Sequence, residues 1–525
     1  MSSLPRLTYG SINIDFDRAL NAYSMTPIQN RTFTTSLSGI SETLNFFTQH
    51  RLRIGKLRLN RSIERQINEF WEYAKSGQVF SFRFDRDLMA YFALENLTTD
   101  INGITGTFTR TGAANYIHPS TGLITSAAAN TARFQAGKFG SGLLMEDAMS
   151  QVCLRTEEFD NAAWTKTGIT VVANTTETLA PDGTTNADKC TLTAATGTIV
   201  QDLSGAADIG TQDGIFTVYL KWSTGTAAPG GVKLRIKRAD TDAILVEDAA
   251  YQSVSPQVWT RFSIAYNNGG AIAAKWRLEI ELNTDASVYY VFGANFEAAR
   301  RYATSYLAAV GTATTRNTEA LSYVASNFFD DEPYQGSISF WWKALHAGTN
   351  TETTLQLFIL ERVGSTSPAL ELYWTTPNLF FDAYGKDGAA KASASNSVSI
   401  VFGDWINLVV TWDTSVANSL KLYVNGTAYS STNNRFALAR RGTNFYIGSS
   451  GGTTRRANAM IDDFEIRRDV LSAAEVLARY NMGKALGWRR NYFSSLILDQ
   501  DEYDPQLLVG SWRHDIELNF VEQLS

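Results

Sequence analysis

Segments that alternate apolar and polar residues recur along this chain, and they restrict its fold more than any other feature. GIFTVYLKWS, GVKLRIKRA, VWTRFSIAY, KWRLEIELN and SVYYVFGANF follow one another between residues 214 and 296. GSISFWWKA, TLQLFIL, ALELYWTT, DWINLVVTWD, SLKLYVNGTAYSS and TNFYIGSS repeat the pattern between residues 336 and 450. A period of two sends successive side chains to opposite faces of a strand. Many short strands parted by turns build sandwiches or jelly rolls. Asn425-Gly426 between LKLYV and TAYSS is the strongest short hairpin signal, and Asn267-Asn268-Gly269-Gly270 marks another turn. The abundance of aromatic residues and glycine (29 Phe, 22 Tyr, 12 Trp, 38 Gly) suits the same class. The fold is expected to be mainly β.

A single core stops growing at roughly 250–300 residues, so 525 residues imply several domains. Residues 1–90 read as strands, then a helix in NRSIERQINEFWEYAKSG, then a strand through Phe80, Phe82 and Phe84. The chain closes on SWRHDIELNFVEQLS, where Trp512, His514, Ile516, Leu518 and Phe520 alternate with polar residues. Neither later β unit lacks a strand, whereas the first block is open-edged, and open edges are association-prone. Residues 488–525 are therefore expected to return to residues 1–90 and complete a split barrel or sandwich with one helix. Two β domains would be inserted in it, at 151–320 and 321–487. The second ends in a helix, LSAAEVLARYNMG, with cap Ser472, a capping-box Glu475 and Gly483 as its stop. The Gly-, Thr- and Ala-rich stretch 91–150 reads as an extended linker with one hairpin around HPSTG.

The net charge is −6 without a run of one sign, which argues against a nucleic-acid partner. No apolar run approaches the roughly 20 residues that span a bilayer. The start MSSLPRLTYG lacks a secretory pattern, so synthesis in the cytoplasm is expected. Cys153 and Cys190 give no disulfide framework and read as two buried thiols.

Catalytic constellations are sparse. His50, His118, His346 and His514 lie in separate segments, against a His triad or multi-His metal site. GSSGG at 448–452 runs into a loop rather than a helix, unlike a nucleophile elbow. Asp330, Asp331 and Glu332 read as a solvated loop. Sugar binding asks for flat aromatic faces with amides and acids beside them. Trp222, Trp259 and Trp276 read mostly as core. Trp164 before TKTG and Trp374 beside TTPN are candidates, together with Tyr373 and Tyr384, and Asn267 and Asn268 are candidate polar partners.

DWINLVVTWDTS, LKLYVNGTAYSS, FYIG and IDDFEIRRDVLSAAEV, in that order, resemble the laminin-G-like, concanavalin-A-like jelly roll. The resemblance makes Trp405 and Trp412 framework and places Asp462 where some members ligate calcium; it implies no other cofactor. FTRTGAANYIHPSTGLITSAAANTARF, LRTEEFDNAAWTKTGITVV and VFGANFEAARRYATSYLAAVGTATTRNTEALSY resemble a module of tailed-phage structural proteins, similar to jelly-roll carbohydrate-binding modules. The pair 1–90 and 488–525 resembles a phage distal tail or minor tail protein, through INEFWEYAKSGQVFSFRFD. Together these imply a non-enzymatic virion tail protein. Its partners would be the tail tube, the tail hub or tip and host-surface polysaccharide, and it would assemble as a homo-oligomeric ring, a hexamer or else a trimer. The alternatives are a glycan-degrading depolymerase and a purely architectural tail protein.

Overall fold

The computed structural model describes residues 88–486 except 100–102, 204, 206, 224–229, 269, 285, 346–353, 365–367, 398–400, 432 and 452–454. Outside that range it describes the backbone of strands Arg6–Tyr9, Ile12–Asp15, Tyr23–Thr35, Ser41–Leu59, Ser81–Arg83, Leu496–Leu498, Gln506–Leu507 and His514–Glu522. The chain divides into two compact units, Met1–Met89 with Arg489–Ser525, and Ala90–Trp488.

In the first unit Tyr23–Thr35 and His514–Glu522 flank Ser41–Leu59, both antiparallel. The register sets Ile516, Leu518 and Phe520 opposite Leu57, Ile54 and Leu52. The alternating last strand is thus hydrogen-bonded to the N-terminal block. Leu496–Leu498 and Gln506–Leu507 pair with its other edge. Ile12–Asp15, Arg6–Tyr9 and Ser81–Arg83 form a separate three-stranded sheet. The helix expected over NRSIERQINEFWEYAKSG lies outside the described residues.

The second unit contains two sandwiches, one nested in the other. The outer one faces an eight-stranded sheet against a seven-stranded sheet. The eight-stranded sheet is centred on Ala459–Arg467, Gln335–Ala344 and Ile406–Asp413. The seven-stranded sheet runs Ala390–Ser397, Asn378–Tyr384, Pro368–Thr375, Thr354–Arg362, Arg441–Ile447, Ala320–Val324 and Thr107–Thr109. Aromatic rings fill the space between them. Phe340 stacks on Phe464 at 5.0 Å, and Phe92, Tyr323, Phe358, Phe381, Phe445 and Trp412 pack around them. Phe445, Phe464 and Trp412 alternate with polar residues along their strands, which is why the period-two pattern located those strands.

The jelly roll runs from Met149–Gln151 to Thr314–Arg316. Its core gathers Trp164, Phe216, Trp276 and Phe296 with both thiols, Cys153 and Cys190, free and fully buried. The chain leaves the outer sandwich after Ser141–Met145 and re-enters it at Ala320–Val324. Two expectations are corrected here. The β domains do not follow one another, and residues 91–150 are not a linker. The expected hairpin is present, Ala114–Ile117 with Ile124–Ala127. The same stretch also gives Thr107–Thr109 to the seven-stranded sheet, and Arg133–Ala136 and Ser141–Met145 to the eight-stranded one. These strands are three to five residues long. Thr107–Thr109 and Ser141–Met145 are held by partners distant in sequence, and Arg133–Ala136 joins the sheet through Ser141–Met145, which local composition does not disclose.

Buried charges fasten the junction. Glu319 receives Arg133 on both carboxylate oxygens (2.9 and 2.7 Å) and Arg110 at 2.8 Å. Glu146 receives Arg133 at 2.7 Å and the amide and hydroxyl of Ser305, with Arg316 at 3.3 Å. All five charged side chains are at most 2% exposed.

The terminal helix Ala473–Leu486 carries the expected capping box. Ser472 donates its amide and hydroxyl to Glu475 and accepts the Glu475 amide. It does not stop at Gly483, which lies inside it. A Cβ on Gly483 would stand 2.6 Å from the indole of Trp341, itself stacked on Tyr480. The glycine is there for close approach. Gly→Ala in an open helix gains about 1 kcal/mol, but overpacking costs about 1–3 kcal/mol. We expect Gly483→Ala to lower the melting temperature. An unchanged or higher value in calorimetry would refute this packing role.

Candidate functional site

One exposed face of the seven-stranded sheet combines aromatic rings with carboxylates. Register sets Glu371 opposite Asp382, and Tyr373 opposite Phe380. Alternation then sends Leu372, Trp374, Leu379 and Phe381 to the buried side. Tyr373 and Phe380 lie parallel, 5.2 Å apart at 18°, as one apolar slab. The Arg455 guanidinium lies over Tyr373 and 3.7 Å from Glu371. Tyr373 donates its hydroxyl to Asp382 (2.9 Å), and Tyr384 donates to Glu371 (2.7 Å). Ser393 and Ser395, opposite Asp382 and Phe380 on the next strand, are exposed.

Both carboxylates are largely shielded, Glu371 at 4% and Asp382 at 7% exposure. Burial raises the Glu371 pKa above the usual carboxylate range; Tyr384 and Arg455 oppose this, and Asp382 adds to it. Burial likewise raises Asp382 against the hydrogen bonds from Ser393 and Tyr373. Directly opposed residues in an antiparallel pair have Cβ atoms about 4.5–5.5 Å apart, so the two acids belong to one small patch. The face sets a stacked aromatic pair beside hydroxyls, a guanidinium and largely shielded carboxylates, groups of the kinds that meet the ring and the hydroxyls of a sugar.

Residues 317–477 match the family Laminin_G_3, described as the concanavalin A-like lectin/glucanases superfamily. Over this segment the chain resembles a lectin-like domain. The structure adds to the matched segment the strands Leu88–Phe92, Thr107–Thr109, Arg133–Ala136 and Ser141–Met145. Among solved structures, the chain is similar to the receptor-binding domain of botulinum neurotoxin C/D mosaic serotype (18% identity, TM-score 0.27, 31% of this chain and 40% of that one). It is also similar to the binding domain of botulinum neurotoxin serotype G (16%, 0.26, 32% and 40%). A third is the serotype D ligand-binding domain in complex with N-acetylneuraminic acid (18%, 0.25, 31% and 39%). The chain spans about two fifths of these structures, and the likenesses carry no argument about ligand. No curated protein matches.

The structure sorts the residues nominated from sequence. Tyr373 and Tyr384 share the face just described. Trp374 does not; it is 4% exposed and points into the core, because it shares the inward parity of Leu372 rather than that of Tyr373. Trp164 is fully buried, donates its indole N–H to the Arg155 carbonyl (2.9 Å) and packs on Phe159. Asn268 is spent on its own turn: its side chain donates to the Gly210 carbonyl and accepts the Gly270 amide. Asn267 is exposed on that turn, in the jelly roll rather than on the lectin-like face. Asp462 is fully buried and accepts the Phe139 amide (2.9 Å). No group of three His, Cys, Asp or Glu able to hold a metal stands among the described residues. Asp462 has a structural role, tying Phe139 to the strand Ala459–Arg467. Trp412 is framework, as the resemblance implies, with its indole N–H on the Pro333 carbonyl at 2.7 Å.

Sequence reading missed Glu371, Phe380, Asp382 and Arg455. The first three were accessible to it, since Glu371-Tyr373 and Phe380-Asp382-Tyr384 are spaced by two. Arg455 comes from a distant turn and left no signal. The jelly roll's six-stranded sheet is lined differently. Arg235 pairs with Glu247, Glu279 and Glu281, Lys237 with Glu279, and Tyr251 donates to Glu281. That lattice satisfies itself and has no aromatic slab. The acidic loop is also self-paired, Asp331 with Arg440 and Glu332 with Lys386.

Proposed function

We propose that this protein binds saccharide through the Tyr373–Phe380 face of its lectin-like domain, as an adsorption component of a long-tailed phage virion. The slab flanked by Glu371 and Asp382 carries the binding reading. The unit that brings both ends of the chain together supports the tail-ring reading. It would form a homo-oligomeric ring, six copies or else three, between tail tube and tail tip. Repeated weak sites on a ring gain avidity through effective concentration. The observation is the stacked pair with acids beside it; the test is retention of the full chain on host-surface polysaccharide. Tyr373→Ala with Phe380→Ala is expected to cut retention by more than tenfold, as centrally placed aromatic anchors do. Retention equal to wild type would remove the sugar reading of this face. Mass photometry reads the copy number, and a monomer at micromolar concentration would count against the ring.

A second reading is favoured by Glu371 and Asp382 themselves. Retaining glycosidases hold two carboxyl groups about 5–5.5 Å apart, one with a raised pKa. Here two acids with raised pKa face each other across one strand pair. Release of reducing ends from host polysaccharide, lost in both Glu371→Gln and Asp382→Asn, would establish hydrolysis. Binding without release would exclude it.

A further inference from the structure

A second site lies where the two sandwiches of the Ala90–Trp488 unit meet. A cleft of about 520 Å³ opens between the hairpin Ala114–Ile117/Ile124–Ala127, the jelly roll and the eight-stranded sheet. That volume falls within the roughly 300–1,000 Å³ of small-molecule sites. It is far from uniform chemically. On the hairpin side Tyr116 and His118 stand 6.2 Å apart, both half-buried. The sheet side supplies the apolar Leu144 and Met460.

The charge in the cleft is one-sided. Its acid, Glu146, is committed to Arg133, Arg316 and Ser305. Lys343 lines the same cleft, half-buried, on the strand that pairs with Ala459–Arg467, and its ammonium makes no hydrogen bond or ion pair among the described residues. Arg261 lines it from the jelly roll, held over the Tyr219 ring. Its Nε and Nη2 donate to Thr217, and Nη1 donates to the Thr304 carbonyl. A guanidinium has five donors, so two remain without a partner among the described residues. The buried cluster behind is balanced, Arg110, Arg133, Arg300 and Arg316 standing against Glu146, Glu319, Glu297 and Asp147, so the excess positive charge at the cleft wall is that of Lys343 and Arg261. Amides of Asn115 and Gln135 complete the wall.

We propose that this cleft binds one anionic sugar unit, a hexuronate or a sugar phosphate, independently of the Tyr373–Phe380 face. Lys343 and the spare Arg261 donors meet the carboxylate or phosphate. The Tyr116–His118 wall takes the apolar side of the ring, and Asn115 and Gln135 take hydroxyls. The site is made jointly by hairpin, jelly roll and lectin-like sheet, so it exists only in the nested arrangement.

The test is calorimetric titration of the full chain with glucuronic acid, glucose 6-phosphate and glucose. At least one anionic sugar should bind and glucose should not; which anion binds names the source. Lys343→Met should weaken that binding at least tenfold, and Tyr373→Ala should leave it unchanged. If Lys343→Met does not fold, Gln135→Leu is read in its place, with a weakening of at least threefold. Binding of neither anion, equal binding of glucose, or an unaltered affinity in the cleft variant overturns the proposal. Loss of binding in Tyr373→Ala also overturns it, by moving the anion to the other face.

Discussion

Glu319→Ala is expected to remove about 3–5 kcal/mol of stability from the Ala90–Trp488 unit, because it leaves buried cations without their counter-ion. Arg133 loses its bidentate partner, and Arg110 the carboxylate that it meets at 2.8 Å. Both are fully buried and cannot turn to water. Domains are stable by only about 5–15 kcal/mol, so calorimetry on the full chain should show a large fall in transition temperature. A shift within experimental error would mean that the arginines find solvent, and the buried clamp would have to be abandoned. The clamp also sets the acid limit. Burial alone would raise the Glu146 pKa, but Arg316 and Arg133 outweigh it and hold Glu146 well below the usual carboxylate range. A depressed folded-state pKa gives stability that is fully present above the unfolded value of about 4.3 and is lost as pH falls through the folded one. The unit should therefore keep this contribution through mildly acidic conditions.

Trp412→Ala is the second large effect, again about 3–5 kcal/mol, as for other buried tryptophans cut to alanine. The indole is 1% exposed, contacts Phe381 across the core and hydrogen-bonds the Pro333 carbonyl. Its place is prepared by Gly336, where a Cβ would meet the ring at 2.6 Å and the Arg467 carbonyl at 2.8 Å. The void left is walled by two hydrogen-bonded sheets that cannot collapse into it. Measured by the same calorimetry, a loss below about 1 kcal/mol would show that the ring is not buried as described.

Trp412 also illustrates what the sequence discloses. DWINLVVTWD alternates, so its strand and its inward tryptophan were both legible. Asn425-Gly426 announced its hairpin, and both residues have positive φ there, 50° and 82°. Trp374 was misjudged for a simple reason. Nearness to the TTPN turn suggested exposure, but the parity of the strand decided its direction. Trp164 was misjudged in the same way, from a neighbouring loop. The hairpin around HPSTG was legible, but Thr107–Thr109 and Ser141–Met145 were not, because their sheet partners are Ala320–Val324 and Ala459–Arg467, hundreds of positions away. The cleft was not legible either: Lys343, Arg261 and Tyr116 belong to three segments that only the nesting brings together.

The entry and exit of the jelly roll stand side by side, Met149 being the register partner of Arg316. The long excursion through the jelly roll therefore begins and ends at one doorway, and the outer strands on either side of it, Ser141–Met145 and Ala320–Val324, take their register from their own sheets.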